Sequence, residues 1–125
     1  MTLAKSPVVA FVSTVDPARA KKFYGETLGL ILVEDSPFAL VLEGNGTMIR
    51  VQKVEKVDPH PYTALGWTVE DISAIVATLT GKGVTFMRPA GLHMEAGGIW
   101  TSPSGARIAW FKDPEGNVLS LTEFP

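Results

Sequence analysis

A pattern of strand, Asp-capped helix, glycine and three further strands occurs twice along this chain, and that repetition limits the possible folds more than any single motif. In the first copy, residues 8–14 are rich in β-branched and aromatic side chains and predict a strand. Asp16-Pro17 then opens a helix, because an Asp at the cap accepts bonds from free N–H groups and a Pro at the first helical position has no donor to lose. Ala20, Phe23, Tyr24 and Leu28 make one apolar stripe, and Gly29 ends it. Residues 30–34 and 38–43 read as strands around Asp35-Ser36-Pro37, and Asn45-Gly46 is the strongest hairpin signal in the sequence, leading into a strand over 47–54.

The second copy repeats the order. Residues 63–69 read as a strand, Asp71 as a cap, and Ile72, Ile75, Val76 and Leu79 as a helical stripe ending at Gly81 or Gly83. A strand over 84–87, a loop over 88–98 and a terminal hairpin follow. Asp16 to Gly29 spans 13 residues and Asp71 to Gly83 spans 12, the register a duplicated unit would keep. Both copies therefore read β-α-β-β-β, over about 8–54 and 63–123, joined by a linker at 53–61 that contains Pro59 and Pro61. Residues 97–105 are extra in the second copy and could add a short strand and a turn.

In the terminal hairpin, Ile108, Trp110, Leu119 and Leu121 predict one apolar face at period two. Four turn residues, 113–116, would set Lys112 opposite Asn117, Phe111 opposite Val118, Ala109 opposite Ser120 and Arg107 opposite Thr122. That second face is mixed. A sheet with one apolar and one mixed face covers core on one side and water or a ligand on the other.

The 125 residues fit one domain. Cysteine is absent, so disulfides, thiolate nucleophiles, zinc–thiolate sites and iron–sulfur clusters are excluded. A net charge of −2 without a basic patch gives no reason to expect nucleic acid or an anionic membrane as partner. No apolar run approaches the roughly 18 residues of a membrane span, and the first residues lack a signal-peptide pattern. The expectation is a soluble cytoplasmic protein.

Phe23-Tyr24 followed by Leu28-Gly29, and Phe111-Lys-Asp-Pro-Glu-Gly-Asn117, set in two β-α-β-β-β units, resemble the vicinal oxygen chelate superfamily. That superfamily contains the glyoxalases, the bleomycin- and fosfomycin-resistance proteins and the extradiol dioxygenases. The resemblance covers nearly the whole chain. It implies an α+β fold in which two units form a cupped, mixed eight-stranded sheet with helices on the convex side, and it implies a homodimer. In the family's metal enzymes, ligands stand on the first and last strand of each unit. The corresponding positions here are Val9, Arg50, Ala64 and Ser120, and none suits a divalent ion: two have no donor atom, one is a cation and one is a lone hydroxyl. The expectation is no metal and no cofactor.

If those four positions face the cleft, period two adds Phe11, Ser13, Met48, Gln52, Gly66, Thr68, Arg107, Ala109, Phe111, Val118 and Thr122 to it. The expected ligand contacts are Phe11, Met48, Arg50, Gln52, Arg107, Phe111 and Ser120. Arg50 and Arg107 would each offer a planar fork to a carboxylate or phosphate, or else pair with Glu43 and Glu123 on the surface. Trp100 and Tyr62 could stack on a flat ligand, whereas Trp67 and Trp110 are expected in the core. The reading is a metal-independent protein that binds a small apolar or aromatic ligand, anionic where an arginine takes part. The alternatives are a glyoxalase-like lyase or isomerase working without the usual metal, with His60, His93 or Glu95 as base, and a structural dimer module.

Overall fold

The computed structural model describes residues 2–125. The chain divides into two compact units, Met1–Asp58 and Pro59–Pro125, and the break falls inside the expected linker. The eight strands are shared between two four-stranded mixed sheets, one per unit, so each unit closes its own sheet.

In the first unit, β1 (Val9–Thr14) leads into α1 (Pro17–Lys21), and β2 (Ile31–Asp35), β3 (Ala39–Gly44) and β4 (Thr47–Lys53) complete the sheet in the order β1-β4-β3-β2. The Asp16 carboxylate accepts from Arg19 N at 3.2 Å, the cap expected from the Asp-Pro pair. The helix departs from expectation after Lys21, where it continues as a π-helix, Lys22–Thr27, with Leu28 N–H donating to Phe23 O at 2.9 Å. The wider turn moves Phe23 and Leu28 off the buried stripe, which keeps Ala20 and Tyr24 at 2% and 1% exposure. Asn45 and Gly46 both have positive φ, 48° and 81°, as a two-residue hairpin of type I′ requires.

The β1/β4 and β3/β4 registers sort the residues of this sheet. Val12, Leu40, Leu42, Ile49 and Val51 are buried on one face. Val9, Phe11, Ser13, Met48, Arg50 and Gln52 share the other, where Phe11 lies opposite Arg50 and Val9 opposite Met48. At the sheet edge, Lys53 Nζ donates to Asp35 Oδ1 and Lys21 approaches the same carboxylate at 3.7 Å.

In the second unit, β5 (Thr63–Thr68) is followed by α2 (Ile72–Gly81), then by β6 (Trp100–Thr101), β7 (Arg107–Lys112) and β8 (Val118–Glu123), in the order β5-β8-β7-β6. Asp71 caps α2 through Ala74 N at 3.1 Å, and Ile72, Val76 and Leu79 are buried. The strand expected over 84–87 does not form. That segment makes a single bridge, Phe86 to Phe111, and the edge strand is instead the short Trp100–Thr101 from the extra segment.

The terminal hairpin has a different register from the expected one. Lys112 pairs with Val118, Phe111 with Leu119, Ala109 with Leu121 and Arg107 with Glu123. The turn holds five residues because the buried Asp113 carboxylate captures Asn117: it accepts from Asn117 N and from Asn117 Nδ2, both at 2.9 Å, and from Glu115 N at 2.9 Å. Gly116, at φ 90°, closes the turn. One added turn residue exchanges the faces of β7 relative to β8. Arg107, Ala109 and Phe111 join Leu119 and Leu121 on the face that packs under α2, where Ala109 and Phe111 are fully buried. Ile108 and Trp110 join Ser120 and Thr122 on the helix-free face, which reverses the expected placement of Trp110 as core and of Phe111 and Arg107 as cleft.

With these placements, Phe111→Ala should cost about 3–5 kcal/mol in chemical denaturation, and Trp110→Ala, at a half-exposed position, clearly less; equal costs would contradict the register. The Asp35 carboxyl is held below its ordinary value of 3.8, chiefly by its bond to Lys53. A lowered carboxylate pKa adds stability that is fully present above that ordinary value and is lost as pH falls through the folded-state value. Thermal melts of Asp35→Asn should therefore differ from the native chain at neutral pH and converge with it in acid.

Candidate functional site

The helix-free face of the first sheet is apolar and exposed around one cation. Phe11 and Val9, on edge strand β1, are 52% and 39% exposed, and Met48, on the interior strand β4, is 42% exposed, large values for such side chains. Arg50 stands between Phe11 on β1 and Val41 on β3, its direct cross-strand neighbours. It is half-buried, and no carboxylate lies within 4.0 Å of it among the described residues, so the expected surface pair with Glu43 is not made. Glu43 instead accepts from Gly46 N at 2.6 Å in the hairpin. Gln52 is exposed beside Ser13, whose hydroxyl reaches Gln52 Oε1 at 3.5 Å. Phe11, Met48, Arg50 and Gln52, four of the expected contact residues, thus share one face of one sheet.

In the second unit the helix-free face carries Gly66, Thr68, Ile108, Trp110, Ser120 and Thr122. Trp110 packs against Trp100, ring centroids 5.9 Å apart, and both indoles are half-exposed. Ser120 is 9% exposed because it nests against its cross-strand partner: a Cβ on Gly66 would meet Ser120 Oγ at 2.7 Å. Sequence reasoning missed Trp110, and the Asp113 to Asn117 spacing was the signal that could have found it, since an Asp accepting from the residue four positions on lengthens the turn.

The second arginine is occupied. Arg107 donates to Ser73 Oγ at 3.1 Å and pairs with Glu95 at 3.6 Å and Glu123 at 3.7 Å, while the Glu123 carboxylate also accepts from Ile72 N at 2.9 Å. These contacts tie the start of α2 to β7 and β8. Glu95 is therefore engaged by an arginine. His60 stacks on Tyr62 with centroids 5.0 Å apart and rings nearly parallel, and His93 is an exposed loop residue. The described residues contain no group of three or more His, Cys, Asp or Glu side chains that could hold a metal ion.

The donor set implied by the resemblance does not fit a divalent ion. Val9 and Arg50 stand on adjacent strands of the first sheet, Ser120 is packed on Gly66, and Ala64 falls at an irregularity of the β5/β8 register. One hydroxyl in that set is the only neutral oxygen donor. Among the described residues no helix is long and apolar enough to cross a membrane.

Comparison with known proteins agrees with this architecture. A protein from Streptomyces sp. CB03234, TnmS3, described as an antibiotic binding protein, superposes with a TM-score of 0.75 at 26% identity over 100% of both chains. A member of the glyoxalase/bleomycin resistance protein/dioxygenase superfamily from Sphaerobacter thermophilus DSM 20745 gives 0.74 at 28% identity, covering 98% of this chain and 99% of its own. A glyoxalase family protein from Bacillus anthracis gives 0.78 at 15% identity over 100% and 99%, a likeness of fold alone. No curated protein matches. The family model described as Glyoxalase/Bleomycin resistance protein/Dioxygenase superfamily matches residues 7–121. With two β-α-β-β-β units and a match over nearly its full length, the chain belongs to that superfamily.

Proposed function

We propose that this chain is a metal-independent small-molecule-binding protein, and that its ligand is apolar or aromatic and carries an anionic group. The observation that carries the reading is Arg50, a half-buried residue with no carboxylate partner among the described residues, set beside exposed Phe11 and Met48. Such a fork binds a carboxylate or phosphate in two parallel bonds, and the neighbouring apolar surface takes the body of the ligand. Gln52 supplies an amide on the same face. The second unit, taken by itself, presents the half-exposed indoles of Trp100 and Trp110, on which a flat group can stack, whereas Phe111 and Arg107 serve its core and the start of α2. Metal independence is supported by the side chains at Val9, Arg50, Ala64 and Ser120. The likeness to TnmS3, which is described as an antibiotic binding protein, supports ligand binding as the role.

The reading includes a homodimer. The resemblance to the superfamily implies it, and Val8, 74% exposed just before edge strand β1, is apolar surface that a second copy would cover.

Thermal shifts over a panel of aromatic carboxylates, aryl phosphates and antibiotics should find a stabilising ligand. Arg50→Ala should weaken it about 10- to 100-fold, the loss expected for hydrogen bonds to a charged group, whereas Arg107→Ala should lower the melting temperature with little change in affinity. No shift with any compound, or binding indifferent to Arg50, would overturn the proposal. Elemental analysis of the purified protein should show no stoichiometric divalent ion, and adding EDTA should leave ligand binding unchanged; a tightly held ion would overturn metal independence. Sedimentation at micromolar concentration should give a dimer, and a monomer there would refute that part.

A further inference from the structure

The first unit also holds a concave feature on the side of its sheet opposite Phe11 and Arg50. A groove of about 400 Å³ runs between the helical segment and β2. Its apolar floor is Ala18, Leu30 and Leu32, and Lys21 and Lys22 stand along it with Glu26. Leu32 pairs with Leu42, so this is the helix-covered face and not the one that carries Phe11 and Arg50.

Three features of the chain shape the groove. The π-helix over Lys22–Thr27 carries three of its lining residues, Lys22, Gly25 and Glu26. Gly25, within that helix, lines the groove with no side chain, and a Cβ built there meets nothing within 4 Å. Gly44 sits beneath the floor: a Cβ at that position would meet Leu30 Cδ2 at 2.7 Å, so the glycine lets Leu30 lie flat against β3.

The lining selects a ligand chemistry. No aromatic ring lines the groove, so its floor suits an aliphatic body and offers nothing for a flat one to stack on. Lys21 is drawn to Asp35 at 3.7 Å. Lys22 is exposed and has no carboxylate within 4.0 Å among the described residues. Its ammonium, a compact charge on a flexible stem, can settle on a head group at the rim while the stem covers the apolar floor. We propose that this groove is a binding site for a soluble aliphatic carboxylate, with the chain on Ala18, Leu30 and Leu32 and the carboxylate at Lys22. The site is independent of the Arg50 face.

Titration of the isotope-labelled full chain with sodium decanoate, below its aggregation concentration, tests the proposal by amide NMR. Saturable shifts are expected at Gly25, Leu30 and Leu32. Gly25→Leu fills the groove and Lys22→Glu reverses its free charge; each should weaken decanoate at least tenfold, with circular dichroism confirming the fold. If Gly25→Leu does not fold, Lys22→Glu alone decides. Decyltrimethylammonium, with the same chain and the opposite charge, should not saturate. Arg50→Ala should leave decanoate affinity unchanged, which separates this site from the one proposed above. Absence of saturation with decanoate would overturn the proposal. So would affinity indifferent to both groove variants, equal binding of the cationic amphiphile, or shifts confined to Phe11 and Arg50.

Discussion

The carboxylate of Asp113 decides what the second unit presents to its surroundings. By accepting from Glu115 and from both the backbone and the side chain of Asn117, it draws Asn117 out of the strand and into the turn. Strand β8 then begins at Val118, and every pairing along the hairpin is displaced by one residue. The period of a strand is two, so that single residue chooses which side chains of β7 lie under α2 and which lie outside. Phe111 goes in and meets Phe86 edge to face, with centroids 5.4 Å apart. Trp110 goes out and meets Trp100.

Most of the elements are legible in the amino-acid sequence itself. Two Asp caps, two helices ending near glycines and the Asn45-Gly46 hairpin come from local chemistry, and local chemistry is what a sequence displays directly. Strands β3 and β4 are legible down to their faces, because a two-residue turn leaves no freedom in their register and Met48, Arg50 and Gln52 align by counting; Phe11 joins them through the parallel β1/β4 pair. The second sheet is not, because its register depends on one side chain reaching four residues along the chain. Residues 84–87 have strand composition, yet they make only the bridge at Phe86, with Trp100–Thr101 taking the strand position at the edge of β7. The π-helix leaves no mark that apolar periodicity could detect, since its residues still read as one amphipathic stripe.

The two arginines show how little residue type says about role. Both lie on strands and both could have been surface charges or ligand contacts. Arg107 is enclosed by Ser73, Glu95 and Glu123 and fastens a helix to two strands. Arg50 has an exposed phenyl ring on one side and a buried valine on the other. The separation is one of neighbours, and those neighbours are brought in by folding rather than by adjacency in the chain: Phe11 reaches Arg50 through the parallel β1/β4 pair, and Ser73 reaches Arg107 from the start of α2. The superfamily supplies the frame, and the side chains set on it supply the chemistry.

The strand order within each unit also bears on how the chain acquires its structure. In the second unit β5 comes first along the sequence, but its partner among the described strands is β8, which lies between β5 and β7. The carboxylate that accepts from the first amide of α2 likewise belongs to Glu123, 51 residues downstream. A growing chain that has reached α2 has therefore laid down an edge strand with nothing to pair with, and the long loop must close before any hydrogen bond of that parallel pair is made. The first unit has the same order, β1 waiting for β4, so its parallel pair likewise forms only once the fourth strand is present. A chain shortened by its final strand would therefore lose an interior member of the second sheet and not merely an edge.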